Sequence, residues 1–377
     1  MKENLIVLFG GVSSEHDISI ISALQAIKHI DVNFYNVIPV YLAKNYKWYV
    51  GKPLTDMQFY INLDYNKLKE VALVPGSNYL HYKTIFGFKP KFEVGFALPI
   101  LHGVNGEDGK VMAMLNLCKI PHGVADFAES ALCLDKTLFK NCLLGLGINT
   151  ASCAILHDYN FKNNPEAEID HVLQKINFPV IVKPATLGSS IGIKVCNSRA
   201  ELREALVLSF SLATKALIEE FLPDITEVNI ALIQDGNNLI VSELEQPIKN
   251  ESILSFNNKY INKTGSMEGV SRIIPAPISE SVKSKIVQTA KYVYSSLGLK
   301  GVVRFDFIIS NGVIYLNELN TIPGSLAFYL FKPVGLDYKK LINLIIKNGY
   351  NNFENLKNKT YTFSSGVLFS GADGVKK

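Results

Sequence analysis

The stretch Val302-Val303-Arg304-Phe305-Asp306-Phe307-Ile308-Ile309-Ser310-Asn311-Gly312-Val313-Ile314-Tyr315-Leu316-Asn317-Glu318-Leu319-Asn320 reads as two apolar strands joined by a turn. A strand sends alternate side chains to opposite faces, so Arg304 and Asp306 share a face, as do Glu318 and Asn320. Whether the two pairs meet depends on register. A two-residue Asn311-Gly312 turn opposes Asp306 to Asn317 and turns Glu318 away. A three-residue turn, Ser310-Asn311-Gly312, opposes Arg304 to Glu318 and gathers all four polar residues, with Gly312 in the left-handed position of a bulged turn. The three-residue turn is therefore expected. Two carboxylates and an amide oxygen are hard ligands suited to Mg²⁺ beside nucleotide phosphates. The plainer alternative is a solvated polar face with a surface salt bridge.

Composition sets the frame around this hairpin. The chain has 377 residues, 48% hydrophobic and 19% charged. That is enough to bury substantial cores, and at roughly 100–200 residues per domain it predicts two or three domains. The net charge is +4 with Lys and Arg dispersed, so nothing asks for nucleic acid or an anionic membrane. Cys118, Cys133, Cys142, Cys153 and Cys196 are odd in number and form no C-x-x-C. They read as small buried hydrophobes in a reducing compartment, not as disulfides or a zinc site. The apolar run Leu5–Phe9 is too short for a leader and meets Gly10-Gly11 at once. No run approaches the roughly 18 residues needed to span a bilayer. A cytoplasmic enzyme is expected.

Upstream, Leu5–Phe9 reads as a buried parallel strand, and Ser14 with Asp17 resembles a capping box opening a helix to about His29. Val37–Tyr41 and Val94–Leu98 read as further strands and Asp108–Leu117 as a helix. This alternation predicts a parallel-sheet α/β domain over 1–128. A second region, 129–222, has a helix capped by Asp135, strands Ala151–Leu156, Pro179–Lys183, Ile193–Cys196 and Ala216–Glu220, and helices Pro165–Ile176 and Arg199–Phe210. A third, 223–377, has strands Glu227–Gln234 and Leu239–Glu245, helix Ser279–Leu297 and the hairpin. The long polar stretch 247–272 with little periodicity reads as a lid or a disordered loop.

Several loops carry candidate chemistry. Lys183 ends a strand and is followed by Gly188-Ser189-Ser190-Ile191-Gly192. Such a loop can cradle phosphates through backbone N–H groups, or be a plain glycine turn; it is not a Walker A motif, because no Gly-Lys-Ser/Thr closes it. Lys136 sits at a helix N-terminus, where a cation is unfavourable, which hints at an anionic partner or an ordinary exposed lysine. Glu219-Glu220-Phe221-Leu222, with Glu227 beyond, offers acids for an adenine amino group or ribose hydroxyls, or two surface acids. His102-Gly103 and Gly106-Glu107-Asp108-Gly109 follow a strand end, where ligands of parallel sheets bind. The Ser13-Ser14-Glu15-His16 loop also follows a strand.

Together the motifs Gly10-Gly11-x-Ser-x-Glu15, His102-Gly-x-x-Gly-Glu107-Asp-Gly, Ser130-Ala131-x-x-x-Asp135-Lys136, Lys183-Pro-x-x-x-Gly-Ser-Ser-x-Gly192, Lys259-Tyr260, Arg304-x-Asp306 and Glu318-x-Asn320-Thr-x-Pro323-Gly324 resemble the D-alanine–D-alanine ligase family of the ATP-grasp superfamily. The likeness runs from Leu5 to about Ile346. It implies an α/β (α+β) ATP-grasp fold behind an N-terminal parallel-sheet domain. It implies that Lys136, Lys183, Gly188, Ser189, Ser190, Glu219, Glu220, Leu222, Glu227 and Lys259 bind ATP, and that Asp306, Glu318 and Asn320 hold two Mg²⁺ (or Mn²⁺). It implies that Glu15, near His102, takes the amino group of the first D-alanine, and that Ser189 and Tyr260 complete a hydrogen-bonded link with Glu15. Arg304 and the Gly324 N–H would stabilise the oxyanion of the tetrahedral intermediate. Tyr329 and Leu330 fall at the second substrate. The family commonly has a small hydroxyl residue where this chain has Tyr329, and the stretch before Lys259, Ile253–Asn258, also departs from the family pattern. The implied partners are D-alanine and ATP, with a homodimer by likeness alone. The alternatives are a ligase joining D-alanine to D-lactate, D-serine or another small acceptor, a different ATP-grasp carboxylate–amine ligase, and an inactive nucleotide-binding protein.

Overall fold

The computed structural model describes residues 2–248 and 272–363. Its first sheet has seven strands: β1 (Glu3–Gly10), β2 (Tyr35–Leu42), β3 (Trp48–Val50), β4 (Lys69–Val74), β5 (Ser77–Thr84), β6 (Gly87–Glu93) and β7 (Phe96–Leu101). Their order is β6-β5-β4-β3-β2-β1-β7. β1 runs parallel to both β2 and β7, and Leu5 to Phe9 are wholly buried. The remaining pairings are antiparallel. The sheet is therefore mixed: the expected parallel strands are its α/β part, and 48–93 adds an antiparallel extension for which sequence periodicity gave no assignment. β6 is almost entirely exposed, so it carries little of the hydrophobic alternation that reveals a strand.

Helices α1 (His16–Ile27) and α2 (Lys110–Leu117) pack on this sheet. The capping box expected of Ser14 and Asp17 does not form. The residue before α1 is Glu15, and no side chain caps the helix. Ser13 instead accepts the Glu15 N–H at 3.1 Å and donates to the His102 carbonyl at 2.8 Å. This serine ties two loops together.

The second sheet follows α3 (Phe127–Leu134) and α4 (Lys136–Gly145). Asp135 caps α4 by accepting the N–H groups of Thr137 and Leu138. The sheet contains β8 (Cys153–His157), β9 (Val180–Pro184), β10 (Lys194–Cys196) and β11 (Lys215–Glu220), in the antiparallel order β10-β9-β11-β8. Helices α5 (Asp158–Asn163), α6 (Pro165–Leu173) and α7 (Arg199–Leu212) complete this region.

The third sheet contains β12 (Thr226–Asp235), β13 (Asn238–Val241), β16 (Val303–Ser310) and β17 (Val313–Asn320), in the order β13-β12-β16-β17. Helix α8 (Glu280–Ser296) buries Ile286, Ala290 and Val293, the face its periodicity predicts. A separate pair, β14 (Gln246–Pro247) with β15 (Arg272–Ile273), joins the two ends of the polar stretch. Most of that stretch, with Lys259 and Tyr260, lies outside the described residues. After a short α9 (Phe328–Phe331), the long α10 (Tyr338–Lys357) packs Leu341, Ile342 and Ile345 into the core that also holds Leu5 to Phe9.

The hairpin corrects the expected turn. Ser310 pairs directly with Val313, so the turn has only Asn311 and Gly312. Both have positive φ, +47° and +74°, as the tight hairpin turn favoured by Asn-Gly requires. The ladder is regular to Phe307↔Leu316 and then slips by one, so that Asp306 opposes Glu318 and Arg304 opposes Asn320. The extra residue is Asn317, a bulge within β17 instead of a third turn residue. A bulge shifts register by one as an added turn residue would. The four polar residues therefore do share a face, but Arg304 faces Asn320 and not Glu318.

Candidate active site

A cleft of about 610 Å³ is lined by strands of the second and third sheets and by Glu15 and Glu107, which follow β1 and β7 of the first. Its floor is the polar face of the hairpin. Arg304 donates through Nε and a terminal nitrogen to the two oxygens of Asp306, at 2.7 and 2.8 Å. The Asn320 amide nitrogen donates to Asp306 Oδ2 at 3.1 Å. Burial pushes the Asp306 carboxyl up to about 6, with nearby Glu318 adding to it and Arg304 opposing. Two carboxylates facing one another in a buried site favour a cation between them, and their oxygen donors suit Mg²⁺ or Mn²⁺. Among the described residues no group of three or more His, Cys, Asp or Glu side chains forms a metal cluster. The candidate donors are thus the two acids and the Asn320 amide oxygen.

One wall carries the lysines. Lys183 pairs with Glu219, whose other oxygen lies 2.5 Å from Lys140. Burial opposes ionisation of Glu219, but Lys183 and Lys140 outweigh it and hold the carboxyl at about 2. Lys183 also donates to the Asn317 amide oxygen at 3.2 Å. Lys136 donates to the Leu187 carbonyl of the glycine loop at 2.8 Å and lies 3.8 Å from Glu318. Leu222 and Glu227 line the same wall, and Glu220 accepts the Ser152 N–H. The carboxylate of Glu219 is thus directed at the lysines.

The opposite end joins two loops. Ser189 donates to Glu15. The loop backbone comes so close that a Cβ on Gly188 would sit 2.8 Å from Glu15 Oε2. Ser189 and Ser190 both take positive φ, a conformation costly outside glycine. His102 is fully enclosed, and burial lowers it to about 4, so it is neutral at pH 7. Its Nε2 contacts Ser22 Oγ at 3.1 Å, which also accepts the Ser325 N–H at 3.0 Å. Gly324 opens a turn in which Ser325, Leu326 and Ala327 are all left-handed, and this turn leads to Tyr329. Leu330, by contrast, is wholly buried in the first core.

The family models described as D-ala D-ala ligase N-terminus and D-ala D-ala ligase C-terminus match residues 4–123 and 143–347. The D-alanine–D-alanine ligase of Thermosipho africanus is 34% identical, covering 97% of this chain and 98% of its own. This chain belongs to the D-alanine–D-alanine ligase family. The corresponding ligase of Wigglesworthia glossinidia brevipalpis is 33% identical over 92% of this chain and 98% of its own. The solved D-alanine–D-alanine ligase of Helicobacter pylori has a TM-score of 0.74 at 29% identity, covering 92% of this chain and 98% of that one. A D-Ala:D-Ser ligase from Enterococcus faecalis has a TM-score of 0.79 at 26% identity, covering 93% and 100%. Like other D-alanine–D-alanine ligase family members, the chain is an ATP-dependent ligase with the ATP-grasp fold. No helix among the described residues is long and apolar enough to cross a membrane.

Three residues at the cleft or directly behind it carry little signal in the sequence. Lys140 lies one helical turn from Lys136, and that spacing is its only signal. Asn317 looked like an outward strand residue, because the bulge that turns it inward was assigned to the turn. Glu107 stood inside a quoted motif without a role. It is wholly buried, accepts the Ile322 N–H at 3.0 Å and the Gly103 N–H at 3.3 Å, and is pushed up to about 7 by burial and by Glu15.

Proposed function

We propose that the chain joins two D-alanine molecules into D-alanyl-D-alanine, using one ATP, for peptidoglycan precursor synthesis. The observation that carries this reading is the tie between Glu15 and Ser189, which sets a carboxylate at the end of a cleft floored by Arg304 and Asp306. A carboxylate there suits the ammonium of a small amino acid, whose own carboxylate then faces Arg304 on the floor.

ATP would phosphorylate the first D-alanine on its carboxylate, giving an acyl phosphate and ADP. The amine of the second would attack that carbonyl, lose a proton and expel phosphate. Lys136 and Lys183 would hold the phosphates, with Glu220, Leu222 and Glu227 along the nucleotide wall. Glu219 keeps Lys140 as a counterion when Lys183 turns to the phosphates. Arg304 and the Gly324 N–H would meet the oxyanion. Asp306, Glu318 and Asn320 would hold two Mg²⁺ (or Mn²⁺), which neutralise phosphate charge when bound. Neutral His102 would shape the donor site through Ser22. By the same likeness Lys259 would bind the phosphates and Tyr260 would complete the link with Glu15 and Ser189; exclusion of water would protect the acyl phosphate from hydrolysis. A cytoplasmic location and a three-domain division at 128 and 222 are part of the same proposal, with a homodimer by family likeness alone.

A second reading, D-lactate, D-serine or another small acid as acceptor, rests on Tyr329 standing where the family commonly has a small hydroxyl residue. Incubation with ATP, D-alanine and each acceptor, with product identified by mass, decides between them. D-alanine alone should give the dipeptide; if only a mixed product forms, the first reading fails.

A further inference from the structure

Lys136 is anchored at both ends to one short segment of chain. Its backbone N–H donates to the Ala185 carbonyl at 2.9 Å, and its Nζ donates to the Leu187 carbonyl at 2.8 Å. Ala185 and Leu187 lie between β9 and Gly188, at the root of the glycine loop. Asp135, the residue before the lysine, is buried, and its two oxygens serve two different elements. Oδ1 accepts the Thr137 and Leu138 N–H groups at 3.0 and 3.2 Å and the Thr137 hydroxyl at 2.6 Å, all from α4. Oδ2 pairs with Lys215 Nζ at the start of β11. The Lys215 carbonyl in turn accepts the Ala185 N–H at 3.0 Å. Asp135, Lys136, Ala185 and Lys215 thus form a closed ring, each held to the next.

Capping α4 requires one side-chain oxygen. The second oxygen of Asp135, and the lysine that meets it, serve something other than the cap. Burial opposes ionisation of Asp135, but Lys215 and Thr137 outweigh it and hold the carboxyl below its ordinary value. The charged pair ties α4 to β11, and Ala185 ties both to the root of the glycine loop. Lys183, the other lysine of this wall, stands only two residues before Ala185. The ring therefore fixes Lys136 relative to the loop N–H groups and to Lys183 before a nucleotide arrives. Such preorganisation lowers the ordering cost of binding.

We propose that the Asp135–Lys215 ion pair is a positioning device that presents Lys136, and the glycine loop with it, to the nucleotide phosphates. This rests on the reading that Lys136 holds the phosphates and deepens it.

The test is calorimetric binding of a non-hydrolysable ATP analogue with Mg²⁺ to the full chain, beside steady-state KM values. Lys215→Met should raise the analogue Kd and the ATP KM together by about threefold to tenfold, with the D-alanine KM unmoved. Asp135→Asn removes the charge but keeps a cap, since asparagine caps about as well as aspartate. It should have the same effect, and the double variant should be no worse than either single, because both remove one shared interaction. Lys215→Arg keeps the charge and should recover most of the affinity. A merely structural pair would lower the melting temperature of Lys215→Met and leave the Kd where it was. That result, or effects that simply add in the double variant, overturns the proposal. If Asp135→Asn does not fold, Lys215→Met and Lys215→Arg still decide. Lys136→Met separates the proposal from the reading beneath it. An unmoved Kd in Lys136→Met sinks the phosphate role of Lys136 and the proposal with it. A raised Kd there, with none in Lys215→Met, sinks the positioning role alone.

Discussion

Lys140 and Glu219 form an ion pair of 2.5 Å in which each side chain is only 2% exposed. Glu219 simultaneously pairs with Lys183 at the cleft, so one buried carboxylate is shared by two cations. Removing one partner of a buried pair costs about 3–5 kcal/mol, because the remaining charge is left poorly compensated. Glu219 retains Lys183, so Lys140→Met should fall at the lower end, about 3 kcal/mol in urea unfolding. It should also raise the ATP KM several-fold, since Glu219 would then hold Lys183 alone and draw it from the phosphates. A stability loss with an unmoved ATP KM would make Lys140 purely structural.

Asn317 is the bulged residue, and its amide oxygen accepts from Lys183 at 3.2 Å. Asn317→Ala removes one of the two groups that orient this lysine. Hydrogen bonds to charged groups contribute about 1.5–3 kcal/mol, and this one is only part-buried, so an ATP KM increase of about threefold to tenfold is expected. The KM for D-alanine should not move. A parallel rise in both constants would mean that the bulge had refolded.

The hairpin shows what the sequence could and could not say. Period-two alternation established both strands and their polar faces, because alternation is a property of each strand alone. Register is a property of the pair. The identity of the turn and the position of the extra residue are two separate unknowns, and the requirement that Arg304, Asp306, Glu318 and Asn320 meet constrained only their sum. Asn-Gly is itself a strong signal for a two-residue turn, and with that turn the shared face requires the bulge to lie in β17. β3 to β6 were illegible for a different reason: β3 has only three residues, β6 is almost entirely exposed, and β4 and β5 each bury only two positions, so the stretch carries little apolar periodicity. The capping reading of Ser14 failed because the helix starts one residue later than expected: Glu15 occupies the position before His16, so Ser14 lies outside the cap.

Glu107 gives the fold a pH dependence of definite sign. Burial and the neighbouring Glu15 raise it to about 7 from the ordinary carboxyl value of 4.5. The folded state therefore binds this proton more tightly than the unfolded state does. The stabilisation is fully present below about pH 4.5 and is lost as pH rises through about 7. Glu107→Gln stays neutral throughout. Its unfolding free energy, measured from pH 4.5 to 8, should lose this component of the decline, while a constant offset reflects loss of one of the two N–H bonds the carboxylate accepts. A variant whose pH profile parallels the wild type would show that Glu107 does not titrate in this window.

Glu318 faces Asp306 across the hairpin and adds to the upward push on its carboxyl. Without a cation this is a like-charge contact, moderated by Lys136 at 3.8 Å from Glu318. Glu318→Ala should therefore change stability of the ligand-free protein by less than about 1 kcal/mol, since a repulsion and a weak ion pair are removed together. Its effect on turnover should be far larger. Outer partners of metal ligands already cost about 10–100-fold when removed, so loss of a carboxylate ligand should lower kcat by more than about 100-fold. A second readout is independent of turnover: the increase in melting temperature on adding Mg²⁺ with a non-hydrolysable ATP analogue should shrink sharply, because ligand stabilisation scales with affinity. Glu318→Asp, which keeps the charge on a shorter stem, should recover part of both. Near-normal turnover with an undiminished thermal shift would remove Glu318 from the metal site and leave Asp306 and Asn320 without their opposing carboxylate.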